Sequence, residues 1–378
     1  MHSKVLLSAL AFGASTSAGT VPTRKHTRQA PTTLDAAFKA AGKEYVGTAL
    51  TIRDDPQEQE IITTQFGSIT PENAMKWEVT ESSRGNFSFD GADAVVAFAQ
   101  ENDQTIRCHT LVWHSQLPTW VSGGGFDNAT LLEIMKTHID TVVGRYKGVC
   151  DQWDVVNEAL NEDGTYRENV FYQTIGEAYI PIAFQYTQAA DPDARLFLND
   201  YNLEYAADKA KGAARIVQLV QSYGARIDGV GLQGHLTSEP TTSSGGGVIP
   251  SLSTLDSALA LYTDLGVDVA YTELDIRFNT SSGDLATKLE TQADAYVSVF
   301  QSCLNNDRCI GITIWGVSDK YSWIPSTFTG EGEALVWDDN YQEKPAYQAI
   351  LNAINAAGNS TAPSCGDGAA KYKYRKMA

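Results

Sequence analysis

The sequence predicts a single α/β domain, a closed (β/α)8 TIM barrel. Three observations carry that expectation. Eight short apolar runs recur along the chain, helix-like patterns separate most of them, and no Gly-rich phosphate-binding turn accompanies any of these units. Alternation of strand with helix implies a parallel sheet, and the missing fingerprint favours ring closure over an open doubly wound sheet. A chain of 378 residues accommodates one such barrel of about 250 residues or more, and a hydrophobic fraction of 43% supplies its core.

The eight runs are "YVGTAL" (45–50), "FGSIT" (66–70), "TIRCHTLVW" (105–113), "QWDVVN" (152–157), "RLFLN" (195–199), "GVGLQ" (229–233), "DVAYTEL" (268–274) and "IGITIWG" (310–316). They are rich in β-branched and aromatic residues, as strands are. Between them, "ADAVVAFAQEN", "TLLEIMKTHIDTVVGRY", "KAKGAARIVQLVQSYG" and "LDSALALYTDLG" repeat apolar residues near every third or fourth position, and several end at Gly. No internal repeat and no linker to a second module interrupts the series.

The flanks read differently. Residues 1–18 have the pattern of a secretory signal peptide: Lys4, the apolar "VLLSALAF", then small residues through Thr16, Ser17 and Ala18. Residues 19–31 are polar and basic, as a propeptide or linker would be, and the barrel domain is expected over 32–356. The polar segment 357–378 is expected to be a disordered tail. Secretion agrees with four Asn-x-Ser/Thr sequons, at Asn86, Asn128, Asn279 and Asn359, all expected to face solvent. It also agrees with five cysteines. Cys303 and Cys309 flank a polar turn and are expected to form a local disulfide. Cys108 and Cys150 lie at successive strands and either bridge them or remain buried thiols. Cys365 is left over.

Composition narrows the partners. Lys and Arg total 28 against 46 Asp and Glu, a net charge of −18, which argues against nucleic acid because phosphate binding rests largely on Lys and Arg. No 18-residue apolar run occurs in the body, so no membrane span is expected. Seven Trp, 17 Tyr and 13 Phe are compatible with stacking on sugars. Of six His, two lie in the removable N-terminal region, and no His-x-His or His-x-x-x-His pair occurs. A metal-dependent hydrolase is therefore disfavoured, and neither metal nor cofactor is expected. A monomer is the expectation.

Polar side chains concentrate at one kind of place. Glu72, Asn73 and Lys76 follow the second strand, and His109 and Trp113 lie on or at the end of the third. Asn157 and Glu158 end the fourth, Asn199 the fifth, Gln233 and His235 the sixth. Glu273 and Asp275 end the seventh and Trp315 the eighth. Barrel enzymes assemble their sites at the C-terminal ends of strands. The fourth and seventh strands stand three places apart in an eight-membered ring, so Glu158 and Glu273 project toward each other over its mouth. A carboxylate pair flanking a glycosidic bond is the arrangement for glycoside hydrolysis. A separation of about 5–5.5 Å gives retention and roughly 6.5–9.5 Å gives inversion. Two such charges about 5.5 Å apart repel by roughly 3 kcal/mol at an effective dielectric near 20, enough to keep one protonated near neutral pH. That carboxyl serves as acid, and later as base once its partner has become a glycosyl ester.

Taken together, "ITPENAMKWE", "RCHTLVWHSQLPTW", "WDVVNEAL", "GLQGHL", "YTELDIR" and "ITIWGVSDKYSW" resemble the retaining endo-1,4-β-xylanases of glycoside hydrolase family 10, over about residues 32–355. The resemblance implies Glu158 as acid/base and Glu273 as nucleophile. It implies that Asn157 bonds the 2-hydroxyl of the reacting sugar and that Lys76 and His109 hold its other hydroxyls. Glu72 and Asn73 would bind the next sugar toward the non-reducing end. Gln233 and His235 would touch the reacting sugar and orient the nucleophile, His235 through Asp154 or Asp275. Trp113, Trp315 and Trp323 would wall the pocket, with Trp315 and Trp323 crowding the exocyclic CH₂OH that glucose has and xylose lacks. The substrates implied are xylan and xylo-oligosaccharides. A non-catalytic xylan-binding relative would have lost a carboxylate, and both are present. A β-1,4-glucanase is the nearest competing activity.

Overall fold

The computed structural model describes residues 31–244 and 247–360. The expected leader 1–18, nearly all of 19–31, and Cys365 lie outside them. Eight parallel strands close on themselves: β1 (Tyr45–Leu50), β2 (Ser68–Pro71), β3 (Thr105–Val112), β4 (Gln152–Asn157), β5 (Arg195–Asp200), β6 (Gly229–Leu232), β8 (Asp268–Asn279) and β9 (Cys309–Ile314). Each pairs with the next, and β9 returns to β1, so this ring leaves no open edge. All eight anticipated runs are found. Two short strands were not anticipated: β7 (His235–Thr237) pairs with the extended end of β8, and β10 (Glu331–Gly332) pairs antiparallel with it. β8 therefore outruns its expected end at 274 by five residues and reaches Asn279.

Large and small residues alternate inside the ring, as a filled barrel requires. A Cβ on Gly311 would lie 2.4 Å from the Tyr45 ring. A Cβ on Gly231 would lie 2.2 Å from Asn199 Oδ1, so that glycine makes room for a polar side chain of the mouth. Arg107 is fully buried and stacks its guanidinium on Phe197 at 4.6 Å. It reaches Gln152 Oε1 at 2.5 Å and pairs with Asp154. Removing one member of such a buried pair costs about 3–5 kcal/mol, since the other charge is left uncompensated.

The helices around the ring follow their apolar stripes. Asp208–Ser222 buries Ala213, Ile216, Val217 and Val220, spaced three and four apart on one face. Truncating Ile216 to Ala would cost about 2–5 kcal/mol. Asp127 caps Asn128–Arg145 by accepting the Thr130 N–H at 2.8 Å. The last helix, Pro345–Ser360, continues past the expected boundary at 356.

Both cysteine pairs are disulfides: Cys108–Cys150, which ties β3 to the entry of β4, and Cys303–Cys309. Asn86 and Asn128 are exposed, but Asn279 is only half exposed. It ends β8 opposite Glu331, and its Oδ1 accepts the Ser281 N–H at 2.7 Å. The Asn359 side chain lies outside those described. Among the described residues no helix is long and apolar enough to cross a membrane, and no cluster of His, Cys, Asp and Glu could hold a metal ion.

Candidate active site

A cleft of about 880 Å³ opens over the C-terminal ends of the strands. Every side chain expected in a binding or catalytic place lines it: Glu72, Asn73 and Lys76; His109 and Trp113; Asn157 and Glu158; Gln233, His235 and Glu273; Trp315 and Trp323. Asp154 and Asp275 do not, being buried one layer beneath.

Glu273 is held from two sides. Asn199 Nδ2 donates to its Oε1 at 2.7 Å, and His235 Nε2 lies 3.2 Å from its Oε2. The opposite ring nitrogen, Nδ1, lies 2.9 Å from Asp275 Oδ2, which also accepts from Trp323 Nε1 at 2.8 Å. Burial opposes a charge on His235, yet the Asp275 and Glu273 carboxylates outweigh it and push its pKa up to about 10. Both ring nitrogens then donate. Burial likewise acts to raise the pKa of Glu273, but the His235 hydrogen bond, the His109 and His235 imidazoles and the Asn199 amide bring it down to about 2. The carboxylate on β8 is fixed in place and ionised.

Glu158 is held more loosely. Its backbone adopts a φ of +53°, in the left-handed region where a non-glycine residue costs of order 1–3 kcal/mol. Its N–H donates to Asn199 O at 2.9 Å, and Arg167 Nε donates to its carbonyl at 3.0 Å. The carboxylate receives Gln233 Nε2 at 3.3 Å, with His114 Nε2 4.0 Å away. Gln233 Nε2 also reaches Asn157 Oδ1 at 3.2 Å, and that oxygen accepts from Asn199 Nδ2 at 2.9 Å. One amide network, Gln233–Asn157–Asn199, therefore joins Glu158 to Glu273.

On one side of the pair the cleft is polar and cross-linked. Lys76 Nζ donates to Asn73 Oδ1 at 3.0 Å and to Gln116 Oε1 at 2.7 Å, and lies 5.0 Å from the Trp113 ring. Burial lowers the Lys76 pKa, with Glu273, Glu72 and Glu158 pulling the other way. Thr51 Oγ1 donates to Glu72 Oε2 at 2.6 Å. The Trp315 and Trp323 rings meet His235 edge to face at 6.4 and 5.0 Å. On the other side lies Tyr201, with Lys209 Nζ 3.1 Å from its ring centre and Arg167 Nη2 donating to its hydroxyl at 2.8 Å. Tyr172 stacks on Tyr166 at 5.1 Å and does not line the cleft.

Of the two aspartates offered for His235, Asp275 is the partner. Asp154 serves His109, whose Nδ1 lies 3.0 Å from its Oδ2, and Arg107. Gln116 was missed, although it stands within the run "HSQLP" just past β3. Asn199 was seen at a strand end without a role; its two-way amide contact needs the ring closed.

Comparison with known proteins agrees with this geometry. The model of glycosyl hydrolase family 10 matches residues 33–353. The chain belongs to that family. Within it, the chain is 63% identical over 326 residues to endo-1,4-beta-xylanase 2 of Aureobasidium pullulans, covering 85% of this chain and 90% of that one. The crystal structure of native xylanase 10B from Thermotoga maritima superposes with a TM-score of 0.81 at 36% identity, covering 87% of this chain and 99% of that one. Xylanase 10B from Thermotoga petrophila RKU-1, solved in complex with xylobiose, gives the same score and identity and covers 87% and 98%.

The arrangement presents an ionised carboxylate at Glu273 and, in the same cleft, a second and less tightly bound carboxyl group at Glu158.

Proposed function

We infer that this protein is a secreted endo-1,4-β-xylanase, acting with retention through Glu273 as nucleophile and Glu158 as acid/base. The observation that carries the reading is the asymmetry of the pair. Glu273 is ionised by a protonated His235, while among the described residues the Glu158 carboxylate accepts one hydrogen bond, from the neutral Gln233 amide.

In the first step a Glu273 oxygen attacks the anomeric carbon while Glu158 gives its proton to the glycosidic oxygen. The C–O bond breaks, the shortened xylan leaves as an alcohol, and a glycosyl ester remains. In the second step Glu158, now a carboxylate, takes a proton from water, whose oxygen attacks the same carbon and releases Glu273. Two inversions give net retention. Asn157 is placed to bond the 2-hydroxyl, Lys76 and His109 the other hydroxyls of the reacting sugar, and Glu72 and Asn73 the next. Amides, imidazoles and single charges suit a substrate with hydroxyls and no charge.

The cleft is completed by one chain's residues, which supports action as a monomer. Two disulfides and the exposed sequons at Asn86 and Asn128 support secretion after loss of 1–18 and a segment within 19–31. The test is to digest xylan and follow fresh reducing ends by proton NMR. The β anomer should appear first and mutarotate. Initial α product, or equal rates on xylan and cellulose, would reject the assignment.

A further inference from the structure

Behind the two glutamates lies a third carboxylate that the reaction itself does not use. Glu204 sits in the short turn after β5 and is fully buried. Its Oε1 accepts the backbone N–H of Gly234 at 2.7 Å, while its Oε2 is buried and finds no hydrogen-bond partner among the described residues. Burial pushes its pKa up to about 7, against the pull of its own and the Gly234 N–H groups and of His235. A buried carboxylate with one unpartnered oxygen is costly to keep in a core, so its place asks for a reason.

Gly234 supplies one. It stands between the end of β6 at Leu232 and the start of β7 at His235, where the strand ladders change. Its neighbours are already tied: Gln233 N–H donates to Asp200 O at 3.0 Å, and Gln233 O accepts from Glu273 N–H at 2.8 Å. Gly234 O accepts from Asp275 N–H at 3.2 Å. The Gly234 N–H alone has no strand to donate to, and Glu204 receives it. The residue's φ is +78°, and a Cβ there would press 3.2 Å from Leu274 Cδ1, so the turn takes glycine and has no side chain to lock it. The side chains on either side point to different catalytic groups. Gln233 bonds Glu158 and His235 bonds Glu273.

Resting on the assignment of Glu158 and Glu273 above, we propose that Glu204 is a positioning residue for both: by holding the Gly234 N–H it sets the Gln233–Gly234–His235 turn, and so the amide on the acid/base and the imidazole on the nucleophile. Neither glutamate touches it. Its effect passes through one backbone hydrogen bond.

Three variants test this on the full chain: Glu204→Gln, which keeps an acceptor oxygen of the same reach; Glu204→Leu, which keeps bulk without an acceptor; and Glu204→Asp, which withdraws the acceptor by one methylene. Displacements near 1 Å in a catalytic constellation cost about 100-fold. Glu204→Leu should therefore lose about that factor in kcat, with KM for xylohexaose within about threefold. The loss should be of similar size on an aryl xylobioside with a good leaving group, because the nucleophile's support is disturbed as well as the acid's. Glu204→Gln should restore kcat to within about threefold of the parent. Should Glu204→Leu fail to fold, Glu204→Asp is expected to show the same fall in kcat with a native melting transition. A folded Leu or Asp variant with parental kcat and only a lowered melting temperature overturns the proposal. So does a Gln variant as impaired as Leu. If instead the parent enzyme yields α product, or Glu273→Ala retains activity, the catalytic assignment itself fails, whatever the Glu204 variants do.

Discussion

At the mouth of the barrel, β8 and the residue just past β4 carry the same side chain in opposite surroundings. Glu273 lies within an extended strand, accepts an amide and an imidazolium, and is kept ionised down to a pH of about 2. Glu158 stands one residue past its strand at a φ of +53° and meets one amide at 3.3 Å. The contrast matches the roles proposed for each. A nucleophile must stay charged and aimed, which favours a strand and several donors. An acid that becomes a base must exchange a proton with a leaving group and then with water, which favours fewer fixed partners. Chemically equal residues are made unequal by the donors around them.

Breaking the β8 end should have the largest effect. Glu273→Ala is expected to lower kcat by about 10⁴–10⁶-fold on every substrate, because no covalent intermediate can form. Glu158→Ala should be leaving-group dependent. A loss of about 10²–10⁴-fold is expected on xylan, and a much smaller one in the first step on an aryl xylobioside whose phenolate needs no proton. Added azide should then rescue the second step and yield a β-xylobiosyl azide. Equal losses on both substrates would show that the two ends do not differ in role.

Replacing His235 by Asn sharpens the comparison through pH. Removing the imidazolium takes away a hydrogen bond and a positive charge that lower the Glu273 pKa, so that pKa must rise, and the acid limb of kcat/KM should move up by about 1–3 pH units. An unmoved acid limb would mean that His235 does not ionise Glu273. Trp323→Ala should be milder: discrimination between aryl xylosides and glucosides should relax by about tenfold, the order of one added group against a pocket wall. Unchanged selectivity would remove Trp323 from that wall. The disulfides should leave kcat alone and touch only stability. Opening Cys108–Cys150, with 42 residues of separation, should cost about 4 kcal/mol, and Cys303–Cys309, with six, about 2 kcal/mol. Denaturant unfolding of the two double-Ser variants measures that difference.

Much of the site was legible because strand periodicity is local. Each apolar run announces its own strand, and a polar residue at the run's end stands out against it. Glu158 and Glu273 were visible for that reason, as were Lys76, His109 and Gln233. Asn199 stood out too, but its amide on β5 reaches Asn157 on the adjacent β4 and Glu273 on β8, with β6 between, only once the ring has closed. The partner of His235 was left between Asp154 and Asp275. Register decides it: His109 lies opposite Asp154 across β3 and β4, and His235 opposite Asp275 across β7 and β8. The short strand β7 that makes the second pairing has only three residues and no recognisable pattern of its own. Glu204 gave no signal at all, since a Glu after "NDYNL" reads as a surface charge until the turn at Gly234 folds over it.

The sequence by itself therefore determined the ring of strands, the face on which chemistry gathers and the two carboxylates that line the cleft there. These follow from alternation and from chain order. Only the tertiary structure decided which aspartate serves which histidine, which glutamate stays charged, and which backbone N–H needs a buried acceptor. Those outcomes depend on strand register and on distances between side chains far apart in the chain, and no single segment encodes either.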